Sequence, residues 1–108
     1  MVTEETLRVA TDRLVEQFRP QRVILFGSQA RGTADARSDV DLLVICPVDS
    51  KWENRRTLMV AMYRALRGLE MATDVVVLTP EEFERDRQIP GTVARPAWRE
   101  GRVLYEAP

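Results

Sequence analysis

Gly27 and Ser28 are followed, after ten further residues, by Asp39-Val40-Asp41. These small and acidic residues lie against two apolar runs, residues 23–26 and Val40–Ile45, which read as buried strands. In an extended strand, residues two apart share a face. Asp39 and Asp41 therefore set their carboxylates side by side, while Val40, Leu42 and Val44 face a core. Two such carboxylates repel unless a cation or a proton lies between them, and Mg²⁺ is typically held by one or two carboxylates together with substrate phosphates. Gly27 lets the backbone approach a phosphate closely, and the Ser28 hydroxyl and the following N–H groups can donate to it if a short helix starts there. The same residues also suit a plain turn, with Ser38 and Asp39 as turn formers and Asp41 exposed at a strand entrance. The pair alone leaves both readings open.

The elements that must position these residues follow from periodicity and punctuation. Leu7, Ala10, Leu14 and Phe18 predict an amphipathic helix over residues 3–18, ended by Pro20, and a strand then runs from about Arg22 to Phe26. Residues 28–30 fit one helical turn stopped by Arg31-Gly32, and residues 33–37 read as an exposed, mobile loop. Ser50 and Glu53 have capping-box spacing, which predicts a helix from Ser50 toward Arg67 with Met59, Met62, Tyr63 and Leu66 as its apolar stripe and Gly68 as its stop. Arg55, Arg56, Arg64 and Arg67 make that helix basic, either as a solvated face or as a docking face for an acidic partner. Residues 71–78 read as a third strand, with Asp74 on the side of Val76 and Leu78. An acid in so apolar a strand is costly to bury unpaired, which places it at the strand end, near solvent or a cation. Thr79, Pro80 and Glu82 give a second capping box, and Ile89-Pro90-Gly91 ends that helix. A short helix, a glycine stop at Gly101 and a last strand over residues 102–105 close the chain, with Pro96 interrupting a regular helix before Gly101.

Composition sets the outer limits. At 108 residues the chain reads as a single domain, 1–108, with room for one core. A net charge of −1 gives no general reason to expect direct nucleic-acid binding. No apolar run approaches the roughly 20 residues that cross a bilayer, and the acidic N-terminus lacks a signal-peptide pattern, so the expected address is the cytoplasm, with no membrane partner. A single cysteine, Cys46, excludes an internal disulfide and reads as a buried structural thiol. The absence of histidine removes the commonest general base and leaves proton transfer to a carboxylate or solvent.

Gly27, Ser28, ten residues and Asp39-Val40-Asp41, with the local wording GSQARG and SDVDLLV, resemble the signature of the DNA polymerase β-like nucleotidyltransferases. The likeness is greatest to the small MNT (minimal nucleotidyltransferase) proteins, antitoxin halves of HEPN/MNT toxin–antitoxin pairs, and it extends over nearly the whole chain. It implies an α/β (α+β) fold, a mixed β-sheet flanked by helices. It also implies a third acid on a later strand, here Asp74 in TDVVVL, and assigns Arg31 of the GSxARG pattern to a nucleotide phosphate, although an exposed loop arginine fits the same residue.

The chemistry implied is Mg²⁺-dependent transfer of AMP from ATP to a hydroxyl, with Asp39, Asp41 and Asp74 as metal and catalytic residues and Gly27, Ser28 and Arg31 as nucleotide-binding residues. Two ions are expected, one on the triphosphate and one on the incoming hydroxyl, with Asp74 as the candidate general base. A chain this short has no arm to hold an acceptor. The resemblance implies that a HEPN-domain toxin presents it, as a tyrosine, and that the transfer acts as an antitoxin. Two alternatives stand beside this: a binding module that neutralises its partner by complex formation alone, and nucleotidylation of a small molecule by a homo-oligomer whose second subunit shapes the pocket.

Overall fold

The run Val40–Ile45 forms an interior strand, β2, in which every residue but Asp41 is buried. Such a strand reads as a continuous apolar run because both of its faces are covered. The computed structural model describes residues 2–32, 39–48 and 54–108. The other elements, in order, are α1 (Glu4–Phe18), β1 (Arg22–Phe26), α2 (Ser28–Arg31), α3 (Arg55–Ala65), β3 (Thr73–Leu78), α4 (Pro80–Asp86), α5 (Ala94–Glu100) and β4 (Arg102–Glu106). The sheet order is β3-β2-β1-β4, with β1 antiparallel to both β2 and β4 and β2 parallel to β3. The parallel pair needs a crossover, and α3 supplies it. This is the expected mixed sheet flanked by helices.

Strand alternation divides the core into two layers. Leu42 and Val44 of β2, with Val75 and Val77 of β3, pack with Leu7, Ala10 and Leu14 of α1 and with Leu58, Met62 and Leu66 at the inner face of α3. Leu43 and Ile45, with Val76 and Leu78, face the other way onto Phe83 of α4 and Ala94 and Ala97 of α5. Phe83 meets Trp98 edge-on at 6.1 Å, and the Arg87 guanidinium covers the same indole at 4.4 Å, which ties α4 to α5.

The helix ends are set by caps. Thr3 accepts from Thr6 N–H to open α1. Thr79 and Glu82 form the expected capping box with Pro80 in the first turn of α4, and Glu82 also receives two 2.7 Å bonds from Arg55 of α3. The Arg13 guanidinium of α1 donates to the Ala65 and Arg67 carbonyls, at 3.2 and 3.0 Å, and so satisfies acceptors left open where α3 ends. Pro96 falls in the first turn of α5, where an N–H has no partner within the helix, and Thr92 Oγ1 accepts from Arg95 N–H at 3.3 Å.

Several expectations need correction. The cap of α3 is Asn54, whose Oδ1 accepts from Thr57 N–H at 3.0 Å; the Ser50 and Glu53 capping pair lies outside the described residues, as do Ser38 and the loop over 33–37. Tyr63 is not part of the apolar stripe. It lies one step round the helix from Met62, 41% exposed, and its hydroxyl accepts from Val75 N–H at 2.9 Å, giving edge strand β3 a partner for an outward N–H. Gly101 does end α5, as expected, but in extended backbone with φ −72°. A Cβ there would collide with the Ala97 carbonyl and the Ile24 side chain, so the glycine is kept for close packing of α5 on β1. Cys46 is buried, as expected, with Sγ donating to the Phe18 carbonyl at 3.7 Å. Among the described residues no helix is long and apolar enough to cross a membrane.

Thr79→Ala removes the side-chain half of the α4 capping box and should lower the unfolding free energy by about 1 kcal/mol. Urea unfolding checks this: the midpoint falls with an unchanged slope, and an unchanged midpoint would show that the cap contributes nothing.

Candidate active site

The edge of the site is set where β1 turns into α2. Phe26, the last residue of β1, pairs with Asp41 of β2. Gly27 follows with φ 76° and ψ −156°, a backbone conformation that is essentially open to glycine alone. A Cβ at Gly27 would run into the Asp41 carboxylate. Glycine is thus required twice, once by the backbone and once by the acid that it touches. Ser28 begins α2, a single turn in which the Gly27 carbonyl accepts from Arg31 N–H at 3.2 Å and Gly32 closes the end in the left-handed region. No side chain caps the start of α2, and among the described residues the Ser28 hydroxyl has no hydrogen-bond partner.

On its other side Asp41 faces Asp74, its register partner across the parallel β2–β3 pair. Both acids lie on the face of the sheet that carries Leu43, Ile45, Val76 and Leu78, opposite the layer of α1 and α3. Asp74 is exposed, and Asp39 stands exposed two residues before Asp41. Among the described residues none of the three carboxylates has a hydrogen-bond or ion-pair partner. Asp41 bears the cost. Burial raises its pKa above the ordinary aspartate value, the Asp74 and Asp39 charges raise it further, and the Arg31 guanidinium opposes them.

Arg31 ends α2 and lies 3.7 Å from Glu100 Oε2 of α5. Its guanidinium therefore pairs with Glu100 while its charge also acts on Asp41. Glu100 carries no motif that marks it in the sequence; the fold brings it to Arg31 because Gly101 lets the end of α5 pack on β1. The structure therefore gathers Gly27, Asp41 and Asp74 across three adjacent strands, with Ser28 and Arg31 on the short helix beside them. Among the described residues no three His, Cys, Asp or Glu side chains form a group that would hold a metal ion by themselves.

The chain belongs to the nucleotidyltransferase domain family, whose model matches residues 7–104. A protein of Methanocaldococcus jannaschii, named as a candidate protein adenylyltransferase, is 28% identical over 107 residues, spanning 97% of this chain and all of that protein. Two solved structures share the fold. One, a candidate nucleotidyltransferase of Sulfolobus solfataricus, superposes with a TM-score of 0.64 at 21% identity, over 94% of this chain and 78% of its own. The other, from a toxin–antitoxin complex with AMP-PNP, gives 0.67 at 20% identity, over 98% of this chain and 75% of its own.

Two outcomes test the site's physical basis. Gly27→Ala should cost about 1–3 kcal/mol in stability through its backbone conformation alone, read by urea unfolding, and wild-type stability would refute the close approach to Asp41. Asp41→Asn tests the strain of the charge. With a folded pKa above the unfolded one, Asp41 binds its proton more tightly in the folded state, so stability falls as pH rises through the window between the two values. Asp41→Asn should therefore match or exceed the parent in Tm at pH 7, with the gap closing as pH drops below the ordinary aspartate pKa of 3.8. A large loss of Tm at pH 7 would make Asp41 structural.

Proposed function

We propose that this chain is a single minimal nucleotidyltransferase domain that transfers AMP from ATP to a hydroxyl of a partner protein, a tyrosine of a HEPN-domain toxin, and so acts as an antitoxin in the cytoplasm. The observation that carries the reading is the pairing of Asp41 with Asp74 beside the Gly27-Ser28 turn, in a strand with no structural use for a charge. The naming of the archaeal relative as a candidate protein adenylyltransferase supports the reaction class, and the fold shared with a toxin–antitoxin protein crystallised with AMP-PNP supports the setting.

The carboxylates fit a divalent cation. Asp41 has a raised pKa because burial and the charges of Asp74 and Asp39 outweigh the opposing Arg31 guanidinium, the environment that a cation relieves. Asp41, Asp74 and Asp39 would hold Mg²⁺, with substrate phosphates completing a ligand set that the protein does not close alone. The chemistry such an ion would supply is neutralisation of charge on the triphosphate and acidification of the incoming hydroxyl.

The chain's own residues do the rest. The Ser28 hydroxyl and backbone N–H would donate to a β- or γ-phosphate approaching over Gly27, and Arg31 would add a charge-assisted bond to a phosphate oxygen. Asp74, exposed at the start of β3, would take the proton of the acceptor hydroxyl, since the chain has no histidine. The hydroxyl oxygen bonds to the α-phosphorus, the α–β phosphoanhydride bond breaks, and pyrophosphate leaves with the electron pair. The transfer yields an AMP ester on the acceptor.

Calorimetric titration of ATP, with and without Mg²⁺, into the parent and into Asp39→Asn/Asp41→Asn tests this. Binding that needs both the metal and the two aspartates is expected, and equal binding by the variant would sink the metal site. A parent that binds no ATP, alone or mixed with its partner, would leave neutralisation by complex formation as the function. Labelled ATP then reports the acceptor: label on the partner's tyrosine is expected, and label on a small alcohol alone would overturn the assignment.

A further inference from the structure

The layer opposite the aspartates carries a surface that nucleotide transfer does not use. An open groove of about 700 Å³ runs between α1 and α3, with Arg13, Phe18, Arg64 and Arg67 among its walls. A second, of about 390 Å³, follows the outer side of α3 past Arg56 and Val60. Ala61 and Arg64 line both, so the two are one continuous surface. Among the described residues, four arginines border it, and no aspartate or glutamate does.

The state of those arginines is informative. Among the described residues, Arg8, Arg22, Arg31, Arg55, Arg85, Arg87 and Arg102 each hold an ion pair, while Arg19, Arg95 and Arg99, scattered elsewhere, do not. Arg13, Arg56, Arg64 and Arg67 hold none among the described residues, and Arg13 spends its hydrogen bonds on the end of α3. A solvated helix face in a chain this rich in acids would place acids three or four residues from its bases, as α1 does with Glu5, Arg8 and Asp12. From Arg55 to Ala65, α3 contains no acid at all. Between the unpaired guanidinium groups, Val60 lies 42% exposed, an apolar contact framed by charge.

We propose that this face of α1 and α3 is the docking groove for an acidic helical segment of the partner protein. Guanidinium forks bind carboxylates in two-point fashion, and a helix with glutamates flanking a small apolar stripe would meet both the arginines and Val60. Nucleic acid is the poorer fit. The chain's net charge is −1, and among the described residues Phe18 is the single aromatic ring lining the two grooves, where strand binding stacks successive bases on a row of rings. The inference rests on the reading that a partner protein brings the acceptor, and it adds where and by what chemistry that partner is held.

The test uses the full chain and a fluorescein-labelled amphipathic helical peptide of glutamate, alanine and leucine, followed by anisotropy. Binding that weakens with salt is expected. Arg64→Glu/Arg67→Glu should weaken it by roughly tenfold or more, whereas Arg85→Glu/Arg95→Glu, an equal charge change on α4 and α5, should not. Arg64→Gln/Arg67→Gln, a milder change, should fall between them and serves if the reversal disturbs folding. Equal loss in both reversed variants would reduce the effect to net charge and overturn the groove. So would tighter binding of a labelled single-stranded RNA than of the peptide, or a dimer of the chain that the α3 reversal dissolves. ATP titration of the same variants separates the two proposals: peptide binding lost with ATP binding kept isolates the groove, and a parent that binds peptide but no ATP removes only the nucleotide reading.

Discussion

The structure depends on carrying a carboxylate inside a strand that is otherwise wholly buried. Asp41 has apolar neighbours along β2, Phe26 beside it on β1 and a second acid beside it on β3. Folded domains are stable by only about 5–15 kcal/mol, and an unpaired charge in such a place consumes part of that margin. Two features keep the cost bearable. Asp41 is at the open end of β2, one residue in, so its carboxylate retains some contact with solvent. The layers on either face are filled by residues with no other task, Leu42 and Val44 on one side and Leu43 and Ile45 on the other. The strand's hydrophobic burial holds the acid in a position that the acid itself disfavours.

The same constraint explains what could be read from the sequence. β1 and β2 were legible because interior strands are continuous apolar runs, and a polar residue inside one stands out. Asp74 was legible in the same way, as an acid at the head of TDVVVL. The capping box at Thr79 was visible because its chemistry is local, with both partners within three residues. What escaped depends on distance along the chain. Glu100 and Arg31 meet only because α5 docks on β1, and Tyr63 and Val75 only because β3 is an edge strand with an outward N–H to satisfy. Gly101 was legible as the end of α5, but the physical reason for it was not. A glycine after a helix suggests a left-handed cap, whereas this one answers to a backbone carbonyl and an isoleucine packed against it. The start of α3 was misplaced because two acceptable caps, Ser50 and Asn54, lie within one helical turn of each other.

The topology also bears on how a chain this small could work on a partner. The aspartates and the arginine-lined groove lie on opposite faces of the sheet, so a single partner surface cannot cover both by stacking on one layer. The strand order removes the obstacle. β3 is an edge strand, and its first turn of chain carries exposed Asp74 on one face while Tyr63 of α3 reaches its backbone one residue later on the other. A partner held along α3 would therefore need only to reach around that edge for a hydroxyl to meet Asp74. In this arrangement the edge of the sheet would do the work that extra domains or longer arms do in a larger transferase, with affinity drawn from α3 and chemistry from β2 and β3.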